Sequence, residues 1–125
     1  MTKRLLVVDN QASSRSAKAA AMRRIGYHVD EATSGLDALK RFIADNYDVI
    51  LMDYDMPSMS GPECALKIRE YESGTSSKTF IIGVTGSGNS VIRERWLTAG
   101  MDACMNEETN SEELQKLVQE RTATC

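Results

Sequence analysis

Val49-Ile50-Leu51-Met52-Asp53-Tyr54-Asp55-Met56-Pro57 is the stretch whose reading decides the fold. Four apolar residues, β-branched at the front, read as a strand buried on both faces, and the acid and proline that follow place a carboxylate at its C-terminal end. An unpaired charge beside such a strand would cost on the order of several kcal/mol. Asp53 is therefore expected to be a metal ligand, a nucleophile or both.

Outward from this stretch the same grammar repeats. Toward the N-terminus, Leu5-Leu6-Val7-Val8 is a short apolar run ending at Asp9-Asn10, and Tyr27 to Ala32 is polar enough to predict a strand at the sheet edge. Toward the C-terminus, Phe80 to Val84 is a second fully apolar strand, ending at Thr85-Gly86, and Met101 to Met105 reads as a weak fifth strand. Helical patterns fill the intervals. Ala12 to Ile25 places Ala17, Ala20, Ala21, Met22 and Ile25 on an apolar face, leaves Arg15, Lys18, Arg23 and Arg24 to solvent, and stops at Gly26. Ser34 with Asp37 caps a helix with the stripe Leu36, Leu39, Phe42 and Ile43. Ser60-Gly61-Pro62-Glu63 matches a capping box, with Cys64, Ala65 and Ile68 continuing the buried face. Ser90 to Ala99 carries Trp96, which fits either the core or a partner-facing surface, and Asn110 with Glu113 opens a last helix bearing Leu114, Leu117 and Val118.

Strand then helix, five times over, predicts an α/β fold with a five-stranded parallel sheet in the order 2-1-3-4-5, doubly wound with five helices. The working crevice of such a sheet lies beyond the carboxyl ends of the strands, between strands one and three. Asp9, Asn10, Asp53 and Thr85 should converge there, with Glu107 following strand five.

Bulk composition narrows the function classes. The 125 residues are expected to form one domain, 1–125. A net charge of −3 without a basic block leaves no footprint for nucleic acid or an anionic membrane, so the expected partners are proteins. No apolar run reaches the roughly 18 residues of a membrane span, and the N-terminus lacks a signal-peptide core. Three cysteines (Cys64, Cys104 and Cys125), no CxxC and a single histidine read as free thiols in a reducing, cytoplasmic setting.

Two acids and an amide oxygen on adjacent strands, with the backbone carbonyl of Asp55, offer hard oxygen ligands of the kind Mg²⁺ takes while keeping several waters. An aspartate beside such an ion can attack phosphorus, because phosphoryl transfer asks the protein mainly for positioning and charge neutralisation. Thr85 could bond a phosphoryl oxygen, and Gly86 keeps the approach open.

Asp9-Asn10, Met52 to Pro57, Gly61, Val84-Thr85-Gly86 and Ala99-Gly100-Met101-Asp102 together resemble the receiver (CheY-like) domain of two-component response regulators and hybrid histidine kinases. That resemblance spans the chain. It implies Asp53 as phosphoacceptor, Asp9 and Asn10 with Asp53 and the Asp55 carbonyl as Mg²⁺ ligands, and Thr85 with Gly86 as the switch and phosphoryl contact. It also implies a histidine kinase, a histidine phosphotransfer protein or the rest of a hybrid kinase as partner, and a homodimer through the helix 4, strand 5, helix 5 face.

Three positions depart from the family pattern. Asn10 replaces the second carboxylate of the acidic pair, which should weaken metal binding. Glu107, followed by Glu108, stands where such receivers end strand five with a lysine, and a carboxylate there opposes a phosphoryl dianion. Cys104 takes the place of the switch aromatic. The expectation is a pseudo-receiver-like signalling domain, not an enzyme, with an impaired acceptor site and an output mainly through protein contacts. A working phosphoacceptor at Asp53 is the alternative. Asp53-Tyr54-Asp55 also has the spacing of an aspartyl-nucleophile phosphatase, but the lysine, the further acids and the first-strand position such enzymes need are missing.

Overall fold

The computed structural model describes residues 3–85 and 90–121; Gly86 and Cys125 lie outside them. Five strands alternate with five helices: β1 (Arg4–Val8), α1 (Ala12–Arg24), β2 (His28–Ala32), α2 (Gly35–Ala44), β3 (Val49–Met52), α3 (Gly61–Glu72), β4 (Phe80–Thr85), α4 (Ser90–Ala99), β5 (Ala103–Asn106) and α5 (Ser111–Glu120). All pairings are parallel, as the alternation implies, and the order is β2-β1-β3-β4-β5, as expected. The polar strand β2 lies at the edge.

Register sets the level of the strand ends. Val8 pairs with Met52 and Met52 with Gly83, so Asp9 and Asp53 leave the sheet side by side, and the Asp53 N–H donates to the Val8 carbonyl at 3.0 Å. β4 runs two residues further, to Thr85 opposite Asn106 of β5. Side chains alternate across the sheet. Leu6, Val8, Ile50, Met52 and Ile81 pack with Phe42, Ile68 and Trp96 on one face, while Leu5, Val7, Leu51, Ile82 and Val84 meet Met22, Leu114 and Val118 on the other. All four residues of β3 are buried, which is why that strand reads as an unbroken apolar run.

Local signals fix the helix starts. Ser34 Oγ accepts the Asp37 N–H, and complete capping boxes join Ser60 with Glu63 and Asn110 with Glu113. Two helices sit in a different phase from the one their apolar residues suggest. In α2 the buried residues are Gly35, Ala38 and Phe42, while Leu36 and Ile43 are more than half exposed. In α1 they are Ala19, Ala21 and Met22, whereas Ala17 is exposed and the Arg15 and Lys18 side chains turn inward at 16% exposure each. Alanine-rich helices carry little apolar contrast, so their phase is set by what their polar residues bind.

Trp96 is core. It has no exposed surface, its indole N–H donates to the Val84 carbonyl at 2.9 Å, and its ring lies over Gly83. A Cβ on Gly83 would sit 2.6 Å from the ring, so glycine is what allows α4 to reach the sheet here. Cys64 is a buried free thiol, its proton held by burial up to about 12. Cys104, by contrast, is disulfide-bonded, which corrects the reading of three free thiols. Spacing along a chain does not reveal which sulfurs meet in space.

Candidate phosphoacceptor site

Asp53 follows β3 directly and is half-buried, and one of its oxygens accepts the N–H of Tyr54 at 3.0 Å. The loop behind it turns back on α3, where the Gly61 N–H donates to the Tyr54 carbonyl at 2.8 Å. A side chain on Gly61 would collide with the Asp53 carbonyl and the Trp96 ring. Glycine at that position therefore lets helix α3 close against the acceptor loop.

Asp9 is nearly inaccessible at 2% exposure. Its Oδ1 accepts the Gln11 N–H at 2.9 Å and its Oδ2 accepts from Lys18 Nζ at 3.1 Å. Burial pushes the Asp9 carboxyl upward, but the bonds from Ser14 and Gln11 and the Lys18 charge outweigh it and hold Asp9 below the ordinary carboxylate range. Asp53 moves the other way. Burial first, then the neighbouring Asp9 charge, raise its proton affinity, with Glu107 adding a smaller push, and Lys18 and the Tyr54 N–H only partly oppose them. The neighbouring carboxylates are thus shifted in opposite directions, Asp9 downward by the bonds from Ser14, Gln11 and Lys18, and Asp53 upward by burial and the Asp9 charge.

Lys18, expected on the solvent face, is the residue that sequence reading missed. A signal existed: α1 starts three residues after Asp9, and Ser14 and Lys18, four apart, share the helix face beside the strand end. Arg15 reinforces this junction, donating to the Asp9 carbonyl at 2.9 Å and to Glu31 on β2 at 3.3 Å.

Asn10 follows Asp9 but is exposed, and it does not cap α1: the N-cap position falls on Gln11, without a side-chain bond. Thr85 is buried at the end of β4 and its hydroxyl donates to the Met105 carbonyl at 3.3 Å, so contact with a phosphoryl oxygen requires that hydroxyl to rotate. Glu107 lies exposed in the turn after β5, and its charge still reaches Asp53. Cys104 is buried on β5. Asp55 is exposed in the loop, with only its backbone carbonyl in question as a ligand.

The donor set suits Mg²⁺ in one respect. Asp9 and Asp53 present two carboxylates at adjacent strand ends, and the Asp9 charge adds to burial in raising the proton affinity of Asp53. Among the described residues, no three His, Cys, Asp or Glu side chains gather into a cage. A small hard cation that keeps several waters is compatible with two carboxylates and a carbonyl, whereas a tetrahedral metal is not.

The family model for the response regulator receiver domain matches residues 5–119. The sensor protein EvgS of Escherichia coli K12 is 34% identical over 101 residues, 81% of this chain but 8% of EvgS, so the chain spans a small part of that relative's length. Among solved structures, the chemotaxis response regulator CheY4 of Vibrio cholerae superposes with a TM-score of 0.88 at 25% identity, covering 98% of this chain and all of CheY4. The receiver domain of Ssk1, solved with the histidine phosphotransfer protein Ypd1 of Saccharomyces cerevisiae, shares the fold at 22% identity and a TM-score of 0.86, with 95% of this chain and 88% of that one covered. With the β2-β1-β3-β4-β5 sheet, the acid-bearing ends of β1 and β3 and a family match across nearly the whole sequence, this chain belongs to the receiver domains of two-component phosphorelay systems.

Proposed function

We propose that this chain is a receiver-type signalling domain whose phosphoacceptor, Asp53, works in a weakened site, so that its output comes mainly through protein contacts. One observation carries the reading: the Lys18 ammonium is bound to Asp9 at 3.1 Å rather than to Asp53, whose half-buried carboxyl holds its proton more tightly than usual, through burial first and the Asp9 charge second. A phosphoryl group on Asp53 adds negative charge beside Asp9, and the neighbouring ammonium is already engaged there. Asn10, which contributes no charge, and Glu107, whose charge opposes a dianion, act in the same direction. When bound, Mg²⁺ would supply the charge neutralisation that phosphoryl transfer requires, held by Asp9, Asp53, the Asp55 carbonyl and Asn10. Thr85 would contact the phosphoryl group.

The partner is a histidine kinase, a histidine phosphotransfer protein or the remainder of a hybrid kinase, in the cytoplasm. The complex of the Ssk1 receiver with Ypd1 supports this class of partner. Val91 and Leu97, exposed on α4, support self-association through the α4, β5, α5 face. The domain acts as one unit, by binding rather than by catalysis. Among the described residues no helix is long and apolar enough to cross a membrane.

A second reading, a fully competent acceptor, is favoured by the placement of Asp9 and Thr85 on the strand ends flanking Asp53. Intact mass of the chain after incubation with Mg²⁺ and a small phosphodonor separates the two, with Asp53→Asn as control. A partial or absent adduct at low-millimolar Mg²⁺ supports the weakened site. A complete, one-to-one, Asp53-dependent adduct overturns it in favour of the second reading.

A further inference from the structure

We propose that the Lys18 ammonium is a tethered cation that competes with a divalent ion for Asp9, so that metal enters the cup only as Lys18 is displaced. The inference deepens the reading of Asp9 and Asp53 as a metal-assisted acceptor site and rests on it.

Both Asp9 oxygens are already engaged, Oδ1 by the Gln11 N–H and Oδ2 by Lys18 Nζ at 3.1 Å. The backbone bond is compatible with a metal, because a carboxylate oxygen has a second lone pair and an N–H carries only a partial charge. The ammonium is different. A divalent ion on Oδ2 would share one oxygen with a full positive charge, inside a site where Asp9 is 2% and the Lys18 side chain 16% exposed and solvent screens little.

Charge counting gives the same direction. Asp9 and Asp53 bring two negative charges, Lys18 returns one, and Asn10 adds none. A divalent ion alone balances these two carboxylates, so an ion and Lys18 together bring more positive charge to Asp9 than its carboxylate carries, while the Glu107 charge reaches Asp53 only from the exposed turn after β5. The Lys18 side chain keeps 16% exposure on a flexible four-carbon stem, so its ammonium can move off Asp9 by rotamer change alone. Lys18 thereby stabilises the metal-free form of Asp9 and raises the Mg²⁺ concentration at which the site loads.

Calorimetric titration of the whole chain with Mg²⁺ tests this without any phosphoryl chemistry. Lys18→Gln and Lys18→Met, which keep most of the stem, are compared with wild type, with Lys18→Arg to retain the charge, and with Lys40→Gln, an exposed lysine on α2, to control for net charge. Thermal melts confirm that each variant is folded. The expected result is Mg²⁺ binding about tenfold or more tighter in both neutral Lys18 variants, with Lys18→Arg and Lys40→Gln close to wild type. Unchanged or weaker binding in the neutral variants overturns the proposal, as does an equal gain in Lys40→Gln or the absence of Mg²⁺ binding in every variant. The result is distinct from that of the phosphodonor assay, because a site can load metal and still fail to form an adduct.

Discussion

Gly83→Ala tests how α4 is held against the strand that carries Thr85. The added Cβ would lie 2.6 and 2.7 Å from two Trp96 ring atoms and 3.0 Å from Met101 Sδ, distances at which something must shift. Overpacking of this kind costs about 1–3 kcal/mol, and the fully buried ring has no open space to retreat into. Trp96→Leu removes the ring and the indole bond to the Val84 carbonyl, which together are worth about 2–4 kcal/mol. In the double variant the new methyl finds the space the ring has vacated. The two costs should therefore fall short of additivity by about 1 kcal/mol or more. Urea unfolding followed by far-UV circular dichroism measures all four chains without relying on tryptophan emission. Strict additivity, or a Gly83→Ala cost below about 0.5 kcal/mol, would refute the close packing of Trp96 on β4.

Asp53→Asn should stabilise the fold at neutral pH. The folded carboxyl has a proton affinity raised above its ordinary value of 3.8, so its ionisation destabilises the native state increasingly as pH rises from that value through the folded one. The advantage of the variant over wild type, read from thermal melts across the pH range, should vanish below pH 3.8; an advantage that grew on acidification would reverse the assigned sign. Asp9 runs oppositely: stability from its bonds is present above the ordinary value and is lost as pH falls through its lowered one, so Asp9→Asn should cost stability at neutral pH and little in strong acid. Glu107→Lys, in the exposed turn, should raise beryllofluoride affinity by a few-fold, and no change would show that its charge is screened from the cup. Arg69→Met should cost about 3–5 kcal/mol in urea unfolding, because Arg69 bonds the Gly100 and Thr79 carbonyls, Glu72 and Asp102, and Glu72 is 8% exposed.

The sheet was legible because its signal is redundant. β3 and residues 80–84 of β4 are apolar without interruption, and the ends of β1, β3 and β4 are marked by Asp9, Asp53 and Thr85. Capping residues at Ser34, Ser60 and Asn110 announced three helix starts before any tertiary contact was known. Helix phase was less accessible where the residues are ambivalent. Alanines dominate α1, so the bonds from Lys18 and Arg15 to Asp9 settle which side faces the sheet. In α2, Leu36 and Ile43 are apolar yet exposed, and periodicity alone assigns them to the core.

The positions of the strand-end candidates were legible, and the charges around them were not. Asp53, Asp9 and Thr85 come from strand ends whose alignment follows from the topology. The cation comes from a helix, nine residues on from Asp9, where the only signal is the four-residue interval between Ser14 and Lys18 on the helix that follows the strand end. A lysine expected on strand five drew attention to Glu107, while the compensating ammonium entered from the opposite side of the cup. Trp96 could be assigned to core or surface on sequence grounds, and Gly83 and Gly61, by leaving room for its ring, decide for the core.

Anomalous diffraction from crystals soaked in high Mn²⁺ tests the acidic cup most directly. The structure predicts one strong peak in contact with the Asp9 and Asp53 carboxylates, accompanied by movement of Lys18 Nζ off Asp9. Saturating Mn²⁺ bound elsewhere, with the Lys18 bond to Asp9 intact, would contradict it.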